Sequence, residues 1–549
     1  MIGVVTRPEQ SAAVQEFFQL FKTPWEFFQE GRAYDVVIVA GEEIPAAEAK
    51  LLLIFGSKIV RDDSKWNLTG QLQRGGAFLQ YRESQVPIYG DAQMFDKPGA
   101  VDSILKSERG FFGVKLESGG GMVLRLGYDL FQEIQWLLSS GQPVENAHLP
   151  TIELHIAMLR DWMLEAGVVF VEIPPVPAGK HFMVSLTHDI DFIGIRDHKF
   201  DHTMWGFLYR SSVGALRDFA RGRVSFGRLI KIWRAAASLP LVFVGWVKDF
   251  WNPFDWYLQV EKNLPATYFF IPFKNRAGEK VSTSHAERRA TKYDVTDLGD
   301  WTKRLQDEGC ELGLHGIDAW HSVEQGRIES ARIAAVARPG GMGVRMHWLL
   351  RDENTYRVLE ESGFAYDSTD GYNETIGYRA GATQVFRPPG RSRLLELPMH
   401  IQDGALFYSN RLDLSEEEAW KRCARMIDDA MRFGGVLTLL WHDRSHGPER
   451  FWGDFYARLV GELRAMNVWF GSAGQVVEWF RKRREVVFDQ GKLRIANESI
   501  SPSLTVRVHR PGAAGEKSRS TDVSWNGESE LKLDEMLGKT PSKQPVMSL

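Results

Sequence analysis

The sequence predicts an α/β chain built around a (β/α) barrel, on three observations. Strand-like apolar runs alternate with helical stretches from about residue 181 to 484, the order expected of a mainly parallel sheet with helices outside it. Three of these runs end in groups that bind a metal or move a proton: THDID at 187–191, ELGLHGIDAWH at 311–321 and VLTLLWHD at 436–443. Strand ends converging on one mouth are how such barrels assemble active sites. Finally, 549 residues exceed one ordinary core, so additional domains are expected beside the barrel.

In chain order, residues 1–172 read as an α/β accessory domain. MIGVVT, YDVVIVAG at 34–41 and LLLIFGS at 51–57 are short buried-strand candidates. FFGVKLESGGGMVLRLGY reads as a hairpin closed by Gly119, Gly120 and Gly121, because glycine tolerates the positive φ of tight turns. YDLFQEIQWLL then has helical periodicity. The stretch resembles the flavodoxin-like fold of class I glutamine-amidotransferase-like domains. No cysteine precedes Cys310, so the amidotransferase nucleophile has no counterpart and a non-catalytic role is expected.

Pro174-Pro175-Val176-Pro177 marks a boundary, since proline stops helices and stiffens linkers. Residues 178–484 form the candidate catalytic domain. Its strand signals are FMVSLTH, ATYFFIPF, ELGLH, GVRMHWL, FAYDST, LLELPMH, VLTLLWH and VWFGS. Glu416, Glu417 and Glu418 after Ser415 suit a helix N-cap and dipole. Beyond Arg484 short alternating strands without helices predict a small β-rich domain over 485–549.

A net charge of −4 gives no reason to expect nucleic acid as a partner. The two cysteines, Cys310 and Cys423, read as reduced packing residues, and MIGVVTRPEQ lacks the basic and apolar regions of a secretory signal. A cytoplasmic location is expected, and the oligomeric state is open. The apolar stretch between Arg234 and Lys248 is shorter than the roughly 18 to 20 residues that span a bilayer. Residues 196–248 are nevertheless unusual, with ten Lys or Arg against three Asp and many interleaved aromatics. A basic amphipathic helix pair fits this composition. Two readings stand for 203–248: peripheral contact with the inner face of a membrane, or a helical lid on the barrel with a solvated basic face.

Two carboxylates at i and i+2 of a strand end, Asp189 and Asp191, face the same way, so one can bind a cation while the other takes a proton. His188 points to the opposite face and reads as structural. Together with His315, Arg345 and Leu440-Trp441-His442, these residues resemble the NodB-homology polysaccharide deacetylase family, carbohydrate esterase family 4, over about 181–484. The resemblance implies a NodB-like distorted (β/α) barrel and an enzyme that removes N-acetyl groups from carbohydrate. It makes Asp189 the base, Asp191 and His315 metal ligands, and His442 the acid that protonates the leaving amine. The family's second motif carries another histidine four residues on, where this chain has Ala319. His321 is the choice for third ligand, with Asp318 next. Arg345 takes the place of the arginine that pairs with the base, although the string R-P-P-Y is absent. Arg387-Pro388-Pro389-Gly390 matches that string better but comes too late in the chain and reads as a turn. Asp367 is the candidate to orient His442, with Glu396 and Asp403 behind it.

A site of one carboxylate and two imidazoles suits zinc or another first-row divalent ion. Two other readings remain: hydrolysis of a different non-peptide C–N bond on the same scaffold, and a catalytically silent glycan-binding protein.

Overall fold

Met183–Ile190 (MVSLTHDI) is buried at every position in the computed structural model of the chain, as a strand covered on both faces must be. The structure describes residues 1–537 apart from 42, 97–101, 119–120, 281–285, 490, 497–503, 513–515 and 526–530. From one edge, the sheet runs Leu395–Glu396, Tyr366–Asp367, Gly343–Met346, Glu311–Gly316, Ala266–Phe270, Met183–Ile190, Val436–Leu440 and Ile401–Gln402. Trp469–Phe470 pairs with Met183–Ile190 as well, and every ladder is parallel. The sheet curls without closing, since among the described residues no ladder joins its first and last strands. The parallel sheet with helices outside it is what the alternating pattern predicts, and its curled form agrees with the distorted (β/α) barrel that the resemblance implies. Each strand signal between 181 and 484 has its strand; Ile401–Gln402 is the addition, too short to show any periodicity.

Parallel pairing brings the carboxyl ends of the strands to one rim. Asp189 lies opposite Phe269, His315 opposite Arg345, and Gln402 opposite Leu440. Beneath the rim, Leu186, Tyr268, Phe270, Leu314, Val344 and Leu439 pack with helix residues such as Leu305, Ile333, Leu359 and Leu459. Burying each such side chain contributes about 1.5–3 kcal/mol, so the rim stands on a stiff base. The helix Glu416–Phe433 starts at a complete capping box between Ser415 and Glu418.

Backbone contacts divide the chain into two units: 180–379 with 391–477, which holds the barrel, and 1–179 with 380–390 and 478–549. The predicted separate domain at 485–549 is therefore corrected. Leu504–Arg510 pairs antiparallel with Phe170–Glu172 and Arg519–Trp525. Val506, Val508 and Trp525 share one core with Val171, Ile173 and Val486. A few short strands cannot bury a core by themselves, and these use the end of the N-terminal region to do so. The segment 380–390, with Arg387 to Gly390, likewise belongs to this unit and not to the barrel.

The same unit holds five parallel strands in the order Trp25–Phe27, Ile2–Thr6, Val36–Ala40, Leu51–Phe55 and Gly121–Leu126. In chain order that is 2-1-3-4-5, the flavodoxin-like arrangement. Antiparallel strands from within 70–118 extend it beyond the last strand. Phe111–Ser118 and Gly121–Leu126 form the predicted hairpin ladder, whose turn residues Gly119 and Gly120 lie outside the described residues.

The insertion in the barrel unit is helical. His202–Tyr209 and Ala215–Ala220 are joined by a π-helical turn, and Phe226–Phe243 follows. Asp201 caps the first of these by accepting from the N–H groups of Thr203 and Met204; Ser225 caps the last by accepting from Arg228 N. The insertion is seated through Ile195, Met204, Phe207, Leu239, Val242 and Trp251, which form a small core of their own.

Candidate active site

Asp191, His315 and His347 bring one ligand atom each to within 4.8 Å of one another. Asp191 Oδ1 lies 3.5 Å from His315 Nε2 and 3.4 Å from His347 Nδ1. His315 Nδ1 is 3.0 Å from the carbonyl of Arg345. That partner only accepts, so Nδ1 carries the hydrogen and the Nε2 lone pair faces the cluster, the usual outer contact of a ligating histidine. Burial pushes His347 down to about 3, which leaves a neutral imidazole with a lone pair to offer. Burial opposes ionisation of Asp191, but its imidazole neighbours outweigh that and hold the carboxyl well below the ordinary range.

Asp191 Oδ1 and His347 Nδ1 are buried and have no hydrogen-bond partner among the described residues. Such orphans cost free energy unless something else binds them. A donor set of one carboxylate oxygen and two imidazole nitrogens, converging with two of its atoms unpaired, fits a divalent first-row cation.

Beside this cluster, Asp189 Oδ1 accepts from Arg345 Nη1 at 3.0 Å, and Asp189 Oδ2 is 3.8 Å from His315 Nε2. Arg345 is fully buried. Its remaining donors reach Thr187 Oγ1 and both the carbonyl and hydroxyl of Ser368, and its guanidinium lies 4.6 Å from the centre of the Phe269 ring. With all these contacts the arginine is fixed, and Asp189 with it.

Across the rim, His442 Nδ1 donates to Asp403 Oδ1 at 2.6 Å, and the backbone N–H of His442 donates to Asp403 Oδ2 at 2.9 Å. Ser445 Oγ donates to the same carboxylate. Burial alone would lower the basicity of His442. The charge and hydrogen bond of Asp403, then the charges of Asp191 and Asp189, overcome it and push the imidazole up to about 10. A cation at Asp191 would take back part of that rise.

Two sequence expectations are corrected by this geometry. His321 is not in the cluster: its Nε2 pairs with Asp318 Oδ1 at 3.2 Å, on the loop beyond the strand Glu311–Gly316. His347 stands where a third donor was sought. It follows the strand Gly343–Met346 two residues after Arg345, so both side chains face the rim by the same i, i+2 rule that aligns Asp189 with Asp191. That signal was present in GVRMH. Asp367 does not orient His442. It sits with Glu396 and Thr369, where burial raises it to about 6. Glu396 is also raised by burial, then by the charge of Asp367. Asp403 occupies the place intended for Asp367. His188, which precedes Asp189 in the strand, turns away from the rim and bridges Trp441 O and Glu261.

The pocket over these groups has a volume of about 340 Å³, and Asp191, His347 and His442 lie in its wall with Arg444, Tyr408 and Trp348. His202, Thr203 and Arg210 of the insertion line it too.

No protein-family model and no curated protein matches this chain. Among solved structures, Agd3, a carbohydrate deacetylase, is 9% identical at a TM-score of 0.36, covering 97% of this chain and 99% of its own. A protein assigned as a polysaccharide deacetylase from Mycobacterium smegmatis is 19% identical at a TM-score of 0.35, over 56% of this chain and 94% of its own. One similarly assigned from Pseudomonas aeruginosa PAO1 is 16% identical at a TM-score of 0.34, over 56% and 94%. At these TM-scores the likeness carries no argument, and the chemistry rests on the side chains.

Proposed function

We propose that the chain is a divalent-metal-dependent hydrolase, zinc being the best-suited ion, that removes N-acetyl groups from a carbohydrate. The observation that carries this reading is the convergence of orphaned ligand atoms on Asp191 and His347, with His315, between a clamped carboxylate and a charged imidazole. Asp191, His315 and His347 would hold the ion. Bound there, it would acidify a water and polarise an acyl carbonyl.

Asp189 takes the proton of the attacking water. Arg345 holds that carboxylate in place, and the separation of 3.8 Å from His315 Nε2 sets it beside the ligand cluster. His442 presents Nε2 to the pocket because Asp403 engages Nδ1. Carrying its proton, it donates to the nitrogen that leaves, as general acid catalysis requires. The acyl C–N bond breaks, the water oxygen joins the acyl carbon, and acetate and a free amine result. The N-acetylated sugar is the substrate class implied by the resemblance of the motifs around Asp189, Asp191, His315 and His442 to carbohydrate esterase family 4.

The test pairs metal analysis with acetate release from N-acetylhexosamine oligomers. The expected result is one divalent ion per chain, acetate production, and loss of turnover in Asp189→Asn with the ion retained. A protein that binds no divalent ion in stoichiometric amount, or an Asp189→Asn variant as active as the wild type, overturns the reading.

A further inference from the structure

The helix Phe226–Phe243 carries apolar residues on two faces. One face is buried: Leu229, Ile232, Leu239 and Val242. The other consists of Phe226, Ile230, Trp233, Ala237, Leu241 and Val244, spaced by three or four residues, and is exposed to solvent along its length. A surface helix ordinarily has one apolar stripe, which faces the core, and a polar opposite side.

The preceding helical segment repeats the pattern. Trp205, Tyr209, Val213 and Leu216 recur at three- or four-residue spacing and are all about half exposed or more. The two stripes meet where the Phe219 and Phe226 rings lie 6.2 Å apart. Just past the second helix, Trp246 is 81% exposed, as is Phe200 before the first. A continuous apolar area of this kind marks an interaction surface.

Charge identifies the occupant. Arg223 and Arg228 pair with Asp413, Glu416 and Asp454 of the barrel unit. Arg221, Lys231 and Arg234, which are exposed among the stripe residues, have no acidic partner among the described residues. A second copy packing on this surface by two-fold symmetry would bring these unpaired cations against themselves. Anionic phospholipid headgroups complement them. Tryptophan and tyrosine suit the level just below the headgroups, where one end of the ring is wet and the other dry. No described helix is long and apolar enough to cross a membrane, so contact with a bilayer through this surface would be peripheral.

The same insertion also forms pocket wall, through His202, Thr203 and Arg210. We infer that the outward face of the helices between 202 and 243 docks on an anionic phospholipid surface and so presents the pocket to a glycan carried by a membrane lipid. The choice of substrate rests on the proposed deacetylase reading; the docking does not.

Sedimentation with phosphatidylcholine vesicles, with and without a one-third share of phosphatidylglycerol, tests both parts. The full chain is compared with an Ile230→Ser/Trp233→Ser/Leu241→Ser variant and a Lys231→Glu/Arg234→Glu variant, whose positions belong neither to the buried clusters of the insertion nor to the wall of the pocket around Asp191 and His442. Wild type is expected to pellet with the anionic vesicles and to be released by salt. The charge variant should lose about tenfold or more in partitioning, and the triple variant should stay in the supernatant with an unchanged unfolding midpoint. Turnover of a water-soluble N-acetylhexosamine oligomer should be equal in all three, while turnover of an N-acetylhexosamine on a lipid anchor in the same vesicles falls in both variants. Wild type that stays in solution with anionic vesicles overturns the docking. So does a wild-type dimer in solution that the triple variant makes monomeric, because the stripe is then an interface between copies. Equal turnover of the anchored sugar by wild type and triple variant overturns the substrate inference. Vesicle binding with no turnover of either sugar upholds the docking and places the failure in the deacetylase reading.

Discussion

Asp191 Oδ1 and His347 Nδ1 lie buried without a hydrogen-bond partner among the described residues, whereas across the same pocket both oxygens of Asp403 are engaged by His442 and Ser445. Asp189 resembles the second case, tied to an arginine that is itself held by Thr187 and Ser368. An unpaired buried polar group costs about 1–3 kcal/mol, and a ligand bound by both atoms would offset that cost. Groups that move protons have the opposite need, since their geometry must be set before substrate binds. The contrast separates the part of the rim that, in the proposed reading, waits for an ion from the part that is already complete.

The sharpest way to break this contrast is to remove a waiting ligand. His347→Ala and Asp191→Ala should each purify without a stoichiometric divalent ion and without measurable turnover, while His321→Ala keeps both; elemental analysis of the three proteins decides. Retained metal in His347→Ala with loss in His321→Ala would reverse the assignment of the third ligand. On the complete side, Asp189→Asn and His442→Asn should retain the ion and lose about 10²–10⁴-fold in kcat, the range general acid–base groups contribute.

Removing the clamp gives a change in stability as well as rate. Arg345→Met leaves Asp189 as a buried charge without its partner, and breaking such a pair costs about 3–5 kcal/mol. Urea unfolding should show this as a lower midpoint with an unchanged slope. His315 is then a useful contrast: its outer contact is to the backbone carbonyl of Arg345, which survives the substitution. Metal content should therefore persist in whatever fraction folds.

How much of this was legible beforehand follows from where each residue sits. Asp189, Asp191, His315, Arg345 and His442 each end an apolar run long enough to be read as a strand. The parallel sheet with helices outside it could be read from the same alternation, but not whether it closes. His347 was legible by the i, i+2 rule but was passed over in favour of the spacing after His315. Asp403 was ranked behind Asp367 for a different reason. It follows a strand of two residues, Ile401–Gln402, and its proximity to His442 arises only because that strand pairs with Val436–Leu440. Asp367 ends a strand on the far side of the sheet, beside Gly343–Met346. Strand order decides between the two carboxylates, and local sequence does not contain it. The joining of 478–549 to the N-terminal unit was hidden likewise, since it depends on the pairing of Phe170–Glu172 with Leu504–Arg510.

The His442–Asp403 pair also predicts a pH dependence of definite sign. His442 is raised in the folded state, from an ordinary 6.5 to about 10. Its contribution to stability is therefore fully present below about 6.5 and is lost as pH rises through about 10. In the proposed reaction its proton goes to the leaving nitrogen, so kcat should fall on the same alkaline side. Asp403→Asn removes the anion, and both the alkaline limb and the loss of stability should move to lower pH. Rate profiles together with thermal unfolding between pH 6 and pH 10 measure this, and an unmoved limb would show that Asp403 does not set the charge of the imidazole.

Ser445→Ala should have the smallest effect on the rate and tells position from charge. The hydroxyl donates to Asp403 from the side away from the imidazole nitrogen, and both contacts of His442 with that carboxylate remain when it is removed. A hydrogen bond to a charged group contributes about 1.5–3 kcal/mol, so the unfolding midpoint should drop. The anion stays where it was, and so should the alkaline limb of kcat. If Ser445→Ala instead moves the limb as far as Asp403→Asn does, the carboxylate depends on the hydroxyl for its place. The completed side of the rim would then be held by three groups acting as one and not by the ion pair alone.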